Sequence, residues 1–275
     1  MLGLLFYPSC AQIFKNPFYA EIMEGLEEEL TREGYHLLLA GYQVSVADSA
    51  IPSFLAQGKV DGMILLGRFP ATIIQSFSRV SAPLLLLDSN VEWPIDSVIS
   101  DGFSAEINVV NYLYSRGHRN IVMLAYDMED YNIDLRVQGF LEGLAQCGIT
   151  ANAESVVREM LSHDEIYSAL RQRLDRPDPP TAIVTINDTL ALAMIKRLTD
   201  DGIKVPEQLS IVGYDDDNVM VDNRPFLSTV RVNKKELGRN GAELILRRVT
   251  SPAAPVVKLR LPVEFVARES VASIK

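Results

Sequence analysis

Two stretches of this chain end apolar runs on side chains that can hold a polar ligand. Thr181-Ala-Ile-Val-Thr-Ile-Asn187-Asp188 leads straight into Thr189-Leu-Ala-Leu-Ala-Met-Ile-Lys-Arg-Leu, and Leu209-Ser-Ile-Val-Gly213-Tyr214-Asp215-Asp216 follows soon after. In a parallel sheet such β-branched runs are strands buried on both faces, and ligands bind beyond their carboxyl ends. Asn187, Asp188 and Asp215 are therefore expected to emerge together at one rim of one sheet. Carboxamide and carboxylate groups so placed make a hydrogen-bonding site for a molecule rich in hydroxyls or amines.

No catalytic constellation accompanies these groups. There is no G-x-x-x-x-G-K phosphate loop, no G-x-S-x-G nucleophile elbow and no H-E-x-x-H. Single carboxylates serve a binder, so no enzyme activity is expected. His36, His118 and His163 show no recurring metal spacing. Cys10 and Cys147 are too few for structural zinc and too far apart for a redox motif, and read as two unpaired thiols in a reducing cytoplasm. Asp216, Asp217 and Asn218 lack the glycine and spaced carboxylates of a calcium loop, and read as a solvated turn. Neither a metal nor a cofactor is expected.

The elements that must position these residues follow from length and pattern. With 275 residues, 48% of them hydrophobic, the chain can bury one large or two smaller cores. No apolar run approaches the about 20 residues of a membrane helix. Met1-Leu-Gly-Leu-Leu-Phe-Tyr-Pro8 has neither the basic region nor the length of a secretory signal, and reads as a first strand. The net charge of −10 argues against nucleic acid, because duplex binding rests on Lys and Arg neutralising phosphates. Doublets such as Lys234-Lys235 and Arg247-Arg248 are isolated. The chain by itself is not expected to hold DNA.

A strand, a loop and an amphipathic helix recur along the sequence. Leu2–Tyr7 precedes a helix predicted over Tyr19–Arg32, with Ile22, Met23, Leu26 and Leu30 at helical spacing and Gly34 closing it. Strands are predicted at Tyr35–Ala40, Gly62–Leu66 and Leu84–Asp88, with helices at Val46–Gln57 and Ala71–Val80. Further helices are expected at Ser104–Arg116, Ile133–Cys147, Asp164–Leu174, Thr189–Asp201 and Lys234–Val249. The strands between them are Asn120–Ala125, Ser155–Val157, Thr181–Thr185 and Leu209–Gly213. Strict alternation means parallel sheets with helices on both faces, and so many units call for two sheets.

An ordered set of short motifs spans essentially the whole chain. It comprises Asn16-Pro-Phe18-Tyr19, Val60-Asp-Gly-Met-Ile-Leu-Leu, Arg116-Gly-His118 and Arg136-Val-Gln-Gly139-Phe140. After these come Asn187-Asp188, Val205-Pro-Glu-Gln-Leu-Ser-Ile-Val-Gly213-Tyr-Asp-Asp, Leu227-Ser-Thr-Val and Ala267-Arg-Glu-Ser270. In these residues the chain resembles the effector-binding core of the LacI/GalR (lactose/galactose repressor) family of bacterial transcription regulators. The resemblance implies an α/β, type I periplasmic-binding-protein-like fold, two Rossmann-like lobes with parallel sheets joined by three crossovers near Gly117, Arg231–Asn233 and Leu261. One lobe is then 1–117 plus 232–261 and the other 118–231 plus 262–275, with a ligand cleft between them.

The same resemblance implies which residues meet the ligand, a small carbohydrate or related metabolite. Arg136 matches a family arginine that offers a planar fork of donors. Asn187 and Asp215 match positions that bond ligand hydroxyls, and Asp188 either joins them or caps the following helix. Phe18, Tyr19 and Phe14 would supply aromatic faces, and Asp101 and Asp88 polar groups of the first lobe. Many relatives carry Asn where this chain has Gly102, so one polar contact is expected to be lost. Val232 and Lys234 depart from the hinge residues of lactose-binding members. Trp93 reads as interface or surface. A homodimer is implied. The family's helix-turn-helix headpiece is expected to be absent, leaving operator DNA to be met only through it. Two alternatives stand beside this reading: a periplasmic-type sugar receptor, and a core regulated by a phosphorylated carrier protein.

Overall fold

The computed structural model describes residues 1–6, 16–41, 57–77, 82–158, 162–217, 220–221 and 224–274. Phe14, Cys10 and all but the last residue of the helix expected over Val46–Gln57 lie outside them. The chain divides into two compact units. The first is Met1–Ser100 with Asp130–Asn132 and Asn233–Leu261; the second is Asp101–Glu129, Ile133–Val232 and Pro262–Lys275.

In the first unit, strands β1 (Leu2–Phe6), β2 (Leu37–Gly41), β3 (Gly62–Leu66), β4 (Leu84–Leu87), β5 (Asp96–Ser100) and β13 (Lys258–Leu261) form one sheet. Its order is β13-β5-β4-β3-β1-β2, with every neighbouring pair parallel. The apolar runs of β1 and β3 are buried throughout, as strands covered on both faces must be. β5 and β13 are not announced by such a run. β13 alternates exposed and half-buried residues because it is a sheet edge. β5 buries the carboxylate of Asp96, which accepts from Arg248 at 2.7 and 2.9 Å and from the Val257 amide at 2.8 Å. Trp93, expected at an interface or surface, is only partly exposed and packs against an apolar cluster that includes Leu5, Met63, Leu65, Phe69, Phe77 and Leu86.

Helix α1 (Pro17–Arg32) buries Ile22, Leu26 and Leu30, the stripe its spacing predicts, and Asn16 caps it by accepting from the Phe18 amide. It lies against α7 (Lys234–Thr250) at backbone distance. A Cβ on Gly25 would stand 2.1 Å from the Lys235 carbonyl oxygen, and one on Gly238 2.0 Å from the Ile22 carbonyl oxygen. The short α2 (Ala71–Phe77) turns Ile74 and Phe77 inward.

The second unit is built on β6 (Ile121–Leu124), β7 (Val156–Val157), β8 (Ala182–Thr185) and β9 (Ser210–Val212), parallel in the order β7-β6-β8-β9. Helices α3 (Gly102–Ser115), α4 (Tyr131–Gln146), α5 (His163–Leu174) and α6 (Asp188–Asp200) belong with it, apart from the first two residues of α4. Strands β12 (Thr229–Arg231) and β14 (Glu264–Val266) pair antiparallel; β10 (Met220–Val221) and β11 (Arg224–Pro225) form a small ladder of their own.

Residues 101–117 therefore group with the second unit, whereas the resemblance gives them to the first lobe. Packing is the reason. A Cβ on Gly139 of α4 would lie 2.3 Å from the Phe103 carbonyl oxygen, and the Tyr112 ring of α3 sits 4.6 Å from that of Phe265 on β14. His118 is wholly buried just beyond α3. Its Nε2–H donates to the Ala272 carbonyl at 3.1 Å, leaving Nδ1 to accept from the Thr181 hydroxyl at 2.9 Å. That pair of bonds ties the C-terminal segment to the start of β6 and β8. Gly34 and Gly117 stand in the left-handed region just past α1 and α3.

Candidate functional site

The turn after β9 is held by three bonds from backbone amides. The Asp188 amide donates to the Tyr214 carbonyl at 2.8 Å, the Asp215 amide to the Val230 carbonyl at 2.8 Å, and the Asp217 amide to the Asp188 carboxylate at 2.9 Å. Within this frame Asp215 and Asp216 adopt φ of 109° and 54°, left-handed conformations that a non-glycine residue keeps only where its surroundings dictate them. Two neighbouring side chains of this segment meet Arg136. Tyr214, fully buried, lies flat under the guanidinium at 3.6 Å, and a carboxylate oxygen of Asp215 stands 3.9 Å from Nη2. Arg136 itself is buried, and its Nη1 donates to the Ile186 carbonyl at the end of β8. Gly102 makes this possible, because a Cβ there would fall 2.8 Å from the Arg136 Cγ. The arginine stem occupies the space that a side chain at 102 would take.

Asn187 and Asp188 divide the work differently from the sequence expectation. Asn187, not Asp188, caps α6: its Oδ1 accepts from the Leu190 amide at 2.8 Å. The carboxamide nitrogen of Asn187 has no partner among the described residues and can donate outward. Asp188 is turned inward, nearly inaccessible, accepting from the Thr229 hydroxyl at 2.7 Å as well as from the Asp217 amide. Burial pushes its carboxyl up to about 6, against the opposing pull of those two bonds. Asp188 thus clamps the turn that presents Asp215.

Asp216 and Asp217 do not form a solvated turn. Asp216 accepts from Arg268 at 2.6 Å and from Arg231 at 2.8 Å, and these two cations hold its carboxyl below the usual range although partial burial opposes them. Asp217 is half-buried. Charge pairing and the bonds to Asp188 draw the acids inward, which spacing along the chain cannot reveal.

Asp101 caps α3, accepting from the Ser104 amide at 3.3 Å. In the first unit Phe18 is buried and meets the Tyr19 ring edge-on at 5.2 Å, while Tyr19 meets Phe6 at 4.8 Å. Asp88 ends β4 with φ of 57°, and the Asn132 amide donates to both its carbonyl and its carboxylate at 3.0 Å. The structure thus brings Arg136, Asp215 and the Asn187 segment together on the second unit. Tyr214 joins them without a signal in the sequence beyond its place next to Asp215.

Residues 110–271, more than half of the chain, match the model of the periplasmic binding protein-like domain family. The HTH-type transcriptional repressor CytR of Escherichia coli (strain K12) is 31% identical over 235 residues, which cover 84% of this chain and 69% of that protein. This chain is a LacI-type effector-binding core. Two solved structures share its fold. The transcriptional regulator CelR in its cellobiose complex has a TM-score of 0.87 at 27% identity, covering 98% of this chain and 84% of CelR. A LacI-family transcriptional regulator from Enterococcus faecium with bound ribose has a TM-score of 0.82 at 26% identity, with both chains fully covered. LacI-type homologues are repressors rather than enzymes. Among the described residues of this LacI-type core, no helix is long and apolar enough to cross a membrane.

Proposed function

We propose that this LacI-type core senses a small sugar or related metabolite through Arg136, Asn187 and Asp215, as part of a cytoplasmic homodimer. The observation that carries this reading is the buried Arg136 guanidinium, seated on Tyr214 and 3.9 Å from Asp215. A fork of donors beside an acceptor carboxylate suits vicinal hydroxyls, and its environment has already stripped it of most water. The ribose and cellobiose held by the two structural neighbours are hydroxyl-rich and support that ligand class. Phe18, Tyr19 and Phe14 are proposed to offer aromatic faces to sugar C–H groups, and Asp101 a further acceptor. Asp188 serves the grip from behind, by clamping the turn. Operator DNA is proposed to be met through a helix-turn-helix headpiece rather than through this acidic core. The effector changes operator affinity only through unequal binding to two states of the protein.

The test begins with a thermal-shift screen of sugars, sugar phosphates and nucleobases, where a binder raises the melting temperature by mass action. Calorimetry with the best hit follows. Asp215→Ala is expected to weaken it roughly ten-fold, about 1.4 kcal/mol, the loss of one charge-assisted acceptor. Asp164→Ala, which removes an exposed acid paired with Arg197 on the same unit, is expected to leave affinity unchanged. Equal affinity for wild type and Asp215→Ala would sink the assignment.

The homodimer has its own check. Sedimentation at roughly tens of micromolar is expected to give a dimer, the commonest closed assembly of soluble chains. A monomer there would count against the regulator reading and favour a receptor.

A further inference from the structure

Glu106 sits on α3 one turn past Gly102, so the two share a face of that helix. It is wholly buried, and neither of its carboxyl oxygens has a hydrogen-bond partner. A buried acid without a partner is costly to keep, so an apolar residue would serve packing better. Arg136 is the one charged group among the described residues whose field reaches it. The other charges near these elements are engaged elsewhere. Asp101 caps α3, Arg116 after α3 bonds Ser273, and on α4 Asp134 pairs with Arg158 and Glu142 accepts from Gln146. On β14, Glu264 pairs with Arg231. The stem of Arg136 crosses α3 at Gly102, and the close approach of Gly139 to Phe103 holds α4 against that same helix.

We infer that the proton on Glu106 decides where Arg136 points, making this acid a positioning residue for the effector grip. The consequence for effector binding rests on the reading that Arg136 contacts the effector. While Glu106 is neutral, Arg136 keeps its bond to the Ile186 carbonyl and its loose pairing with Asp215. When the proton leaves to solvent, a carboxylate without hydrogen bonds remains in the interior. A buried carboxylate is tolerated only when paired, and Arg136 is the cation within its field. The guanidinium swings toward Glu106 and gives up the Ile186 carbonyl, and with it the geometry offered to vicinal hydroxyls. Burial lifts the Glu106 carboxyl to about 8 while Arg136 pulls the other way, so the change falls in the mildly alkaline range.

The experiment is a pH titration of the full chain by NMR, following the Arg136 Nε–H signal, assigned by its loss in Arg136→Lys. In wild type the signal is expected to shift with a midpoint near 8. In Glu106→Gln, a neutral isostere, it should stay at its low-pH position throughout. An Arg136 signal that does not move, or that moves equally in Glu106→Gln, overturns the inference. Should Glu106→Gln not fold, carboxyl-carbon titration of wild type decides, since a Glu106 carboxyl that does not titrate together with the Arg136 signal also overturns it. With ribose or cellobiose as the probe, affinity is expected to fall about ten-fold between roughly pH 6.5 and 9 in wild type. It should change less than about two-fold in Glu106→Gln over that range. A probe that binds with the same affinity at both pH values overturns the coupling and leaves the site standing. An Arg136 signal that titrates although neither probe nor any compound of the screen binds upholds the inference and removes the effector reading instead.

Discussion

Gly238→Ala is expected to lower the melting temperature of the first unit by roughly 6–12 °C, corresponding to about 3 kcal/mol. The added methyl meets backbone, the Ile22 carbonyl oxygen at 2.0 Å and the Leu26 amide at 2.6 Å, so no side chain can rotate out of its way. Helices α1 and α7 must separate, and both bury apolar stripes against the sheet. Gly25→Ala should behave alike, since its methyl would meet the Lys235 carbonyl from the other side. Gly34→Ala is the control. That glycine has φ of 75° but open space around it, so only the cost of a left-handed residue applies, about 1 kcal/mol. Thermal unfolding of the three variants checks this, and equal losses for Gly238→Ala and Gly34→Ala would mean that the helices do not meet at backbone distance.

Stability is expected to fall as the solution turns from weakly acidic to weakly alkaline, and Glu106 is the cause. Its carboxyl is raised from 4.5 to about 8 in the folded chain. A group raised in this way contributes stability that is full below its unfolded value and is lost as pH rises through the folded one. Asp188 follows the same rule with a lower end point, about 6, and so is spent first. His118, whose value burial lowers, works in the opposite sense, but only below its ordinary 6.5. Between roughly pH 6.5 and 8 Glu106 therefore dominates, at a slope of about 1.4 kcal/mol per pH unit, for a loss of about 2 kcal/mol. Denaturant titrations across this range should show the loss in wild type and a flat profile in Glu106→Leu. A wild-type profile that rises with pH would show that Glu106 is already ionised when folded.

Much of the fold is legible in the residue pattern because its rules are local. Runs such as Leu2–Phe6, Gly62–Leu66 and Ala182–Thr185 are continuous and β-branched or Leu-rich, as strands covered on both faces require. The stripe Ile22, Leu26, Leu30 marks a helix face for the same kind of reason. Strands β5 and β13 escape that logic. One buries Asp96, whose carboxylate is paired by Arg248 from a distant helix, and the other is an edge that water partly covers.

The chain by itself also determined that Asn187, Asp188 and Asp215 end two strands of one parallel sheet, and its ordered motifs pointed to the LacI-type core. Side-chain work was decided by tertiary structure. Asn187 became the cap, and Asp188 turned inward because Thr229, far along the chain, offers it a hydroxyl. Asp216 was drawn from solvent by Arg231 and Arg268. Arg136 reaches Tyr214 across the face of α3 that carries Glu106 because that helix has glycine at 102, and α4 comes close to α3 because it has glycine at 139. Periodicity reports which face of an element is buried. It carries no information on which distant partner waits there, and for buried charged groups the partner is what sets protonation, direction and role.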